Sequence, residues 1–355
     1  MWNARSWRSI GLFAAIIVSI GIWRMLGPGR SGEPDLLSNC KVASTVSEGW
    51  GSFLANDYAW VDNHHVVRQT VDTNGPASFA AVVEDTDNGS QTPFSLPPGA
   101  ALSSTDSYLL TSFSPDGAWA LWQAPDYGKA MCSSFDASKT MTWNSSSQFI
   151  ASGMRWLPEG DRWATIVGAS TVAIYCPSSP VPQTIGITGL TLSSGHYIAA
   201  IAHDGCMLVA DRSDSRFSAW EYNKQTPYVF HQYQMKIIGG KVTSITQLPD
   251  IAAAVPSIPD AQDGQAVVSP EGDRILWTFR SYTRRPLDLA RLFHMYDPPG
   301  SVLRMYVSDI HGGSLREIGA LDEGTEYPVR NGPVWCPDGK HFSFVWTSKL
   351  YVEPV

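Results

Sequence analysis

Short stretches rich in aromatic and β-branched residues recur along the chain, and polar turn-forming residues separate them. Runs of five or six residues with this composition predict β-strands, because such side chains suit a pleated, half-buried surface. The pattern therefore predicts an all-β chain of short antiparallel strands. Two consecutive segments of the chain each contain three such predicted strands, at residues 118–123, 130–135 and 139–143 and at residues 163–167, 172–176 and 183–187.

Four tight turns in this pattern share one motif. An apolar residue is followed two positions later by Pro-Asp/Glu-Gly, and a new strand begins. Proline fixes φ, the carboxylate accepts a backbone N–H and glycine adopts a left-handed conformation, as a tight turn requires. We therefore predict a structural role for these residues rather than a catalytic one. They are Pro115, Asp116, Gly117, Pro158, Glu159, Gly160, Pro270, Glu271, Gly272, Pro337, Asp338 and Gly339.

Two weaker copies of the motif fill the gaps in the series, at Asp204-Gly205 and Asp62-Asn63. Asn63 stands in the glycine position, and asparagine is the next-best residue for the left-handed conformation. Four strands in a unit of about 45 residues match one propeller blade, and the six copies predict a six-bladed β-propeller of four-stranded antiparallel blades over residues 40–355. The last repeat ends after three strands. We expect residues 41–46 to supply the fourth by pairing with residues 350–352, because a ring of blades must close.

The Ser-Pro-Asp-Gly motif, followed by hydrophobic and aromatic positions, resembles the repeat of TolB-type six-bladed propellers. Residues 305–318 resemble that family's outer hairpin, with Asp309 before the pair Gly312-Gly313. The resemblance covers residues 45–355, closely in four repeats and less closely in two. It implies the fold and no particular ligand. TolB carries an α/β domain before its propeller, whereas a tether is predicted here, so a role that depends on that domain is not implied.

The N-terminal end predicts one hydrophobic helix. Residues 10–23 form an apolar run without charge, and arginines lie on both sides of it. A basic start before such a run is typical of an export signal. The run is shorter than the about 20 residues of a usual spanning helix, but no small-residue cleavage site follows it. We predict an uncleaved signal anchor at residues 1–26, with a cleaved signal as the alternative, and a flexible tether at residues 27–39. The propeller would then be membrane-anchored and extracytoplasmic, in the periplasm or at the cell surface.

Composition narrows the possible partners. The net charge is −8, which disfavours nucleic acid as a partner, because a nucleic-acid-binding protein needs a basic face for phosphates. The five cysteines form no CxxC pair, so buried free thiols are favoured, although a bridge between Cys132 and Cys176 stays open. Residues 85–90 resemble the start of a calcium loop, but its twelfth position is Leu96 instead of Glu. We therefore predict a hairpin turn there, with no metal and no cofactor.

Two long connections identify a candidate binding surface. Residues 241–265 are predicted to join the fourth and fifth blades, and residues 280–304 to separate two strands of the fifth, at the same end of the propeller. The second connection is basic and aromatic, a composition typical of binding hot spots, and a short amphipathic helix is expected between Pro286 and Pro298. Alternatively, it packs its leucines over the rim and leaves its arginines in solvent. The predicted ligand-binding residues are Arg280, Tyr282, Arg284, Arg285, Arg291, His294 and Tyr296.

The sequence contains no nucleophile elbow, zinc-protease motif or phosphate loop, and no catalytic residue is predicted. This favours a binding or scaffolding module for a protein or glycan partner over an enzyme. An active site assembled in a central channel leaves no linear motif, so a carbohydrate-active lyase or hydrolase is the alternative. A third hypothesis is a structural domain of a larger envelope complex.

Overall fold

The structure is a computed structural model of the 355-residue chain. The described residues are mostly strand and turn, which confirms the all-β prediction, with one α-helix, α1 (Leu36–Asn39). No helix in the described part of the chain is both long and apolar enough to cross a bilayer; the predicted helix at residues 10–23 lies outside it. The described ranges are 36–45, 58–72, 78–100, 108–124, 128–144, 153–189, 196–211, 216–218, 228–253, 261–282, 301–324, 333–346 and 349–355.

The strands form antiparallel four-stranded units in which successive strands pair. After strand β1 (Lys41–Thr45), the first two units are separate sheets. The first unit consists of β2 (Tyr58–Trp60), β3 (His65–Asp72), β4 (Ser78–Asp85) and β5 (Gln91–Pro93). The second unit consists of β6 (Leu109–Phe113), β7 (Trp119–Gln123), β8 (Lys129–Ser134) and β9 (Thr140–Asn144).

The third and fourth units are joined in one nine-stranded sheet, because the fourth strands of the two units pair in parallel, with Ile187 opposite Ile245. The third unit consists of β10 (Arg155–Trp156), β11 (Trp163–Val167), β12 (Thr171–Cys176) and β13 (Ser179–Thr188). The fourth consists of β14 (His196–Ile201), β15 (Cys206–Asp211), β17 (Tyr228–Ile238) and β18 (Lys241–Gln247), and the short strand β19 (Ile251–Ala253) also pairs with β17.

The fifth unit receives a strand from its neighbour. Its own strands are β20 (Ala261–Val268), β21 (Arg274–Tyr282), β22 (Ser301–Asp309) and β23 (Arg316–Gly324). Strand β16 (Arg216–Ser218), from the connection between β15 and β17, pairs with the edge of β20 that faces away from β21.

The sixth unit is completed from the other end of the chain. It contains β24 (Val334–Trp335), β25 (His341–Trp346) and β26 (Lys349–Pro354), and its fourth strand is β1. Lys41 pairs with Val352 and Thr45 with Lys349. The prediction that the segment after the tether supplies the missing strand is therefore confirmed.

The prediction of a long connection at residues 241–265 is wrong. These residues include β18, β19 and the first part of β20. Val242 and Ile245 of β18 are both buried in the core between the third and fourth units, although they are three residues apart, because the β17–β18 pairing has a bulge between them. Its prolines lie after the strand, and the long β17 provides a paired edge for it.

Apolar cores lie between successive units. Each cluster of buried side chains draws from two neighbours: Trp122 of the second unit packs with Val67 of the first, and Trp277 of the fifth with Leu208 of the fourth. The same holds for the second and third units, the third and fourth, and the fifth and sixth. A further cluster joins the sixth unit to the first, where Leu350 packs with Trp60. Both faces of each unit are therefore covered by its neighbours.

Tryptophan–serine hydrogen bonds satisfy buried indoles in these cores. Trp122 Nε1 donates to Ser133 Oγ over 2.9 Å inside the second unit, and Trp277 Nε1 to Ser308 Oγ over 2.8 Å inside the fifth. Between the sixth and first units the bond crosses the junction. Trp60 Nε1 donates to Ser343 Oγ over 2.9 Å, and the Tyr58 hydroxyl lies 2.7 Å from the same oxygen.

The structure differs from the sequence prediction just before β1. Residues 36–39, expected in the flexible tether, form α1. Leu36 is 1% exposed and belongs to the core between the fifth and sixth units. It lies so close to Gly319 of β23 that a Cβ on that glycine would come 2.9 Å from the Leu36 Cα. The packed core thus includes Leu36.

The contact between the first and sixth units can be tested with a double-mutant cycle. We expect Tyr58→Phe and Ser343→Ala to be coupled by about 1 kcal/mol in unfolding free energy, because they remove the two partners of one buried hydrogen bond. The measurement is urea unfolding of the two single variants and the double variant.

The control cycle combines Tyr58→Phe with Ser308→Ala. Ser308 is also a buried serine bonded by a tryptophan, but it lies in the fifth unit, so the two effects should add. Additive effects in both cycles would contradict the junction between the first and sixth units.

Candidate functional site

The units have two different ends. Because consecutive strands are antiparallel, their connections alternate between the ends of each sheet. The motif turns join the first strand of a unit to its second, and turns of neighbouring units lie side by side: a Cβ on Gly160 would lie 3.2 Å from the Asp116 carboxyl carbon, and one on Gly339 3.6 Å from Glu271 Cγ. We call this side the turn end and the opposite side the loop end.

The motif turns at the turn end have the expected local geometry. Gly117 has a φ of 69° and donates its N–H to the Ser114 carbonyl over 2.8 Å. Asp116 Oδ1 accepts the backbone N–H of Ala118 at 3.1 Å and the Ser114 hydroxyl at 2.5 Å. The other three glycines of the motif also have positive φ and donate to the carbonyl three residues earlier. The structure thus places the residues of all four motifs in tight turns.

The turn of the first unit departs from the prediction. Asn63 does not have a positive φ, so its expected left-handed conformation is wrong. Asp62 organises this turn instead: its Oδ1 accepts the N–H of His64 at 2.8 Å and of His65 at 2.9 Å. A side-chain acceptor can replace a left-handed residue, because it satisfies the same backbone donors.

Two of the carboxylates in the turns between first and second strands have lowered pKa values. Burial alone raises the pKa of Asp338, but hydrogen bonds from the His341 ring, at 2.6 Å, and from the backbone of Lys340 and His341 lower it overall. Asp62 follows the same balance: burial raises its pKa, and hydrogen bonds from the backbone of His64 and the ring and backbone of His65 lower it. These carboxylates therefore act within their own turns.

Ion pairs also connect neighbouring units at the turn end. His203 Nε2 lies 3.2 Å from Glu271 Oε1, which joins the turns of the fourth and fifth units. Lys41 of β1 lies 2.9 Å from Asp87 across the junction of the sixth and first units, and His64 contacts the same carboxylate at 2.7 Å within the first unit. All these side chains are exposed, so each pair adds little to stability.

The loop end carries the longer connections. Residues 283–300 lie between β21 and β22, residues 212–227 between β15 and β17, and residues 248–260 between β18 and β20. The motif-bearing turns of the other end span only a few residues. The connections that differ in length from one unit to the next therefore lie at the loop end.

Two of the predicted ligand-binding residues lie in a strand instead of a loop. Arg280 pairs in register with Leu303, and Tyr282 with Ser301, at the end of β21. Arg304 lies inside β22. The insertion predicted at residues 280–304 thus shortens to residues 283–300, because its ends continue the hairpin as long as each residue finds a cross-strand partner. It does separate the second and third strands of the fifth unit, as predicted.

The remaining predicted binding residues lie outside the described residues: Arg284, Arg285, Arg291, His294 and Tyr296. The amphipathic helix expected in this segment also lies outside them. The proposed binding role of this group stays a prediction.

A polar cluster that the sequence did not indicate lies at the loop end of the fourth unit. His231 Nδ1 is 3.1 Å from Asp250 Oδ1, an ion-pair contact without hydrogen-bond geometry, and the rings of His196 and His231 have centroids 5.1 Å apart. Burial and the Asp250 charge raise the pKa of Tyr233 to about 12. Gln232 Nε2 donates to the Pro249 carbonyl over 2.9 Å, which holds this corner together. The cluster gathers residues from three separate strands or their ends.

The five cysteines are free thiols, so the possible bridge between Cys132 and Cys176 is absent. Cys132 and Cys336 are buried. Burial raises the pKa of both thiols, to about 12 for Cys336, and the nearby Cys176 and Asp338 charges add to the shifts of Cys132 and Cys336, respectively. Such thiols are poor nucleophiles. Within the described ranges, no group of three or more His, Cys, Asp or Glu side chains is arranged to hold a metal ion.

Arg155, on β10, is a further residue that the sequence prediction missed; the first strand of each unit is called its inner strand. Its Nε donates to the Ala199 carbonyl on β14 over 2.9 Å, and its Nη1 to the Met154 carbonyl over 3.1 Å. Burial lowers its pKa, and the charge of Tyr197 acts in the opposite direction. The repeat alignment held a signal for it: the residue before the first apolar motif position is uncharged in the other repeats, for example Val267 and Val334.

No family model matches the chain, and no curated protein is similar to it. Among solved structures it is similar to hydrazine synthase of Kuenenia stuttgartiensis, at 11% identity and a TM-score of 0.44, over 84% of this chain and 74% of the other. It is also similar to the Cps50 (Swd1) β-propeller domain of Myceliophteria thermophila, at 10% identity and a TM-score of 0.43, over 89% of this chain and 99% of the other. A third similar structure is a putative 6-phosphogluconolactonase from Bacteroides uniformis, at 13% identity and a TM-score of 0.41, over 84% of this chain and 79% of the other. We base the fold on the strand pairing and the cores alone.

The role of the turn carboxylates predicts an acid-sensitive stability. Replacing Asp338 with Asn should lower the unfolding free energy at neutral pH by about 1 kcal/mol, because two backbone donors and the His341 ring lose a charged acceptor. Because the pKa of Asp338 in the folded protein lies below its ordinary value of 3.8, the carboxylate stabilises the wild type fully at pH values above 3.8. This stabilisation is lost as the pH falls through the lowered pKa. The variant should lack that part of the acid decline in urea unfolding followed down to about pH 2.

The control is Lys340→Gln, which removes an exposed charge from the same turn and keeps the carboxylate. It should retain the wild-type acid decline. If the Asp338 variant declines with acid as the wild type does, the stabilising role of its carboxylate is refuted.

Proposed function

We propose that the units form a closed six-bladed β-propeller. Support comes from the apolar clusters between successive units, and above all from the cluster and the hydrogen bonds that join the sixth unit to the first. A series of sheets buried on both faces, with its last member against its first, fits a ring. The recurring Pro-Asp/Glu-Gly turns support the further proposal that the propeller is of the TolB type.

The propeller's proposed function is to bind a protein or glycan partner at its loop end. The observation that carries this proposal is the difference between the ends: tight turns with internally bonded carboxylates on one side, and longer connections on the other. Binding residues concentrate on loops held by a rigid scaffold, because loops vary without disturbing the core.

Residues 283–300 are the proposed principal contact segment. The pairing of β21 with β22 continues to Tyr282 and Ser301, so both ends of the segment leave from one ordered hairpin. The segment holds Arg284, Arg285 and Arg291 in a chain whose net charge is −8. Arginine together with aromatic residues favours an acidic protein surface or an anionic glycan.

The module is proposed to be tethered to a membrane with its propeller outside the cytoplasm. This rests on the apolar run at residues 10–23, the basic residues around it and the absence of a small-residue cleavage site in the sequence. Leu36 packs into the core, so residues 27–35 are the chain between the proposed anchor and this buried residue.

The binding proposal is tested by neutralising the proposed contact segment in the full chain. We expect Arg284→Gln, Arg285→Gln and Arg291→Gln together to reduce captured partner by about tenfold or more, because arginines in a binding hot spot each carry a large share of the affinity. The measurement is affinity capture from a membrane extract, with quantitative mass spectrometry of proteins and glycans.

The matched control neutralises three exposed lysines of the turn end, Lys139, Lys236 and Lys340, and changes the net charge equally. It should leave capture intact. Equal losses in both triple variants would indicate a general charge effect and contradict the loop-end proposal. Turnover of a captured glycan would favour the alternative, a carbohydrate-active enzyme.

The anchor is tested by fractionation. Full-length protein should stay with membranes after alkaline carbonate washing, whereas a variant without residues 1–26 should not, because the apolar run provides the membrane affinity. N-terminal sequencing of the mature protein is the second readout. A mature chain that begins after residue 26 would replace the anchor with a cleaved signal.

A further inference from the structure

The inner strands of the third and fourth units meet at Arg155. Strands β10 and β14 are the two ends of the nine-stranded sheet, so each has one unpaired edge within that sheet. Gly153 approaches so closely that a Cβ there would lie 2.9 Å from Tyr197 Cβ. Arg155 spans the remaining gap through its bond to the Ala199 carbonyl. Ala199 lies at a bulge in the β14–β15 pairing.

The charge of Arg155 is not balanced by any carboxylate in the described part of the chain. Two other arginines with little exposed side chain show the usual arrangement. Arg68 pairs with Glu84, with an Nε to Oε2 distance of 2.6 Å, and Arg162 contacts Asp161 at 3.1 Å. Within the described ranges, the hydrogen-bond partners of Arg155 are two neutral carbonyls. A charge taken out of water is costly unless it is paired, so Arg155 opposes folding unless a ligand compensates it.

The fold itself does not require an arginine at this position. In the repeat alignment, the other units have short or apolar residues in its place, and they build the same inner strand. By their place in the pairing of each unit's first two strands, these residues are Ala59, Ser112, Ala200, Val267 and Val334. An unbalanced charge at one of the aligned positions points to a role specific to the third unit.

We propose that Arg155 binds an oxyanion, the carboxylate or phosphate group of a ligand, at the inner edges of the third and fourth units. A guanidinium group has five N–H donors, and the two bonds to carbonyls use one on Nε and one on Nη1. The donors that remain lie on the two Nη atoms, and this fork fits two oxygens of a carboxylate or phosphate. Its half-buried position strengthens such a bond, because less water competes for it.

This anion site is independent of the proposed contact segment at residues 283–300, so either proposal can fail without the other. The competing explanation is that Arg155 only fastens the two inner edges together. The explanations predict opposite effects. A fastening residue destabilises the protein when it is replaced, and anions do not matter. An anion-binding residue makes stability depend on the anion.

The experiment measures thermal unfolding of the full chain in detergent at constant ionic strength. The probes are inorganic phosphate and acetate, each compared with chloride. We expect the wild-type midpoint to rise with one of them, on the order of 2 °C at a tenfold excess over its dissociation constant. Response to phosphate alone indicates a phosphate-bearing ligand, and response to acetate indicates a carboxylate.

Arg155→Gln should abolish the response, and without the anion its midpoint should equal or exceed that of the wild type, because an unbalanced charge has been removed. The matched control, Arg162→Gln, removes an arginine that is already paired and should keep the response. Arg155→Lys should respond with lower affinity, because an ammonium group lacks the bidentate fork.

Wild type that responds to neither probe overturns the proposal. An unchanged response in Arg155→Gln does so as well, and it would leave the fastening role as the explanation. If Arg155→Gln fails to fold, the proposal is decided by Arg155→Lys, which must respond more weakly than the wild type; an equal response overturns it.

Discussion

The structure depends on one constraint: each four-stranded unit has two apolar faces and can bury them only against its neighbours. Trp163 and Tyr175 stack at 4.1 Å within the core between the second and third units, and comparable groups fill the other junctions. A single such sheet in water would expose these side chains. The units therefore stabilise one another in sequence, and the end units need each other as much as the inner ones do.

The junction between the sixth and first units shows how this need is met. The chain brings its early strand β1 back to its last sheet, so the sheet that meets the first unit contains both ends of the domain. Apolar contacts at Leu350 are combined with bonds from Tyr58 and Trp60 to Ser343. Buried polar groups are favourable only when bonded, so these bonds favour one register of the two units over its alternatives.

The same architecture explains why the candidate chemistry is unevenly distributed. At the turn end, carboxylates are committed to their own backbone turns and to nearby histidines. The loop end is free of this requirement, and the longer connections and the His196–His231–Asp250 cluster lie there. Arg155 differs from both groups, because it occupies a strand position that the other units fill without charge. The residues that the repeat itself does not need are therefore the candidates for function.

The amino-acid sequence alone determined most strands of the second and third units, the motif turns and the return of β1, because these depend on local composition and on a repeat that leaves one sheet incomplete. It did not determine that residues 241–247 form a strand, that Asp62 replaces a left-handed residue, or that Leu36 packs into a core. Nor did it show that Arg155 lies beside Ala199. Only the tertiary structure decided these points, since each depends on a partner distant in sequence or on a competing local bond that periodicity does not encode.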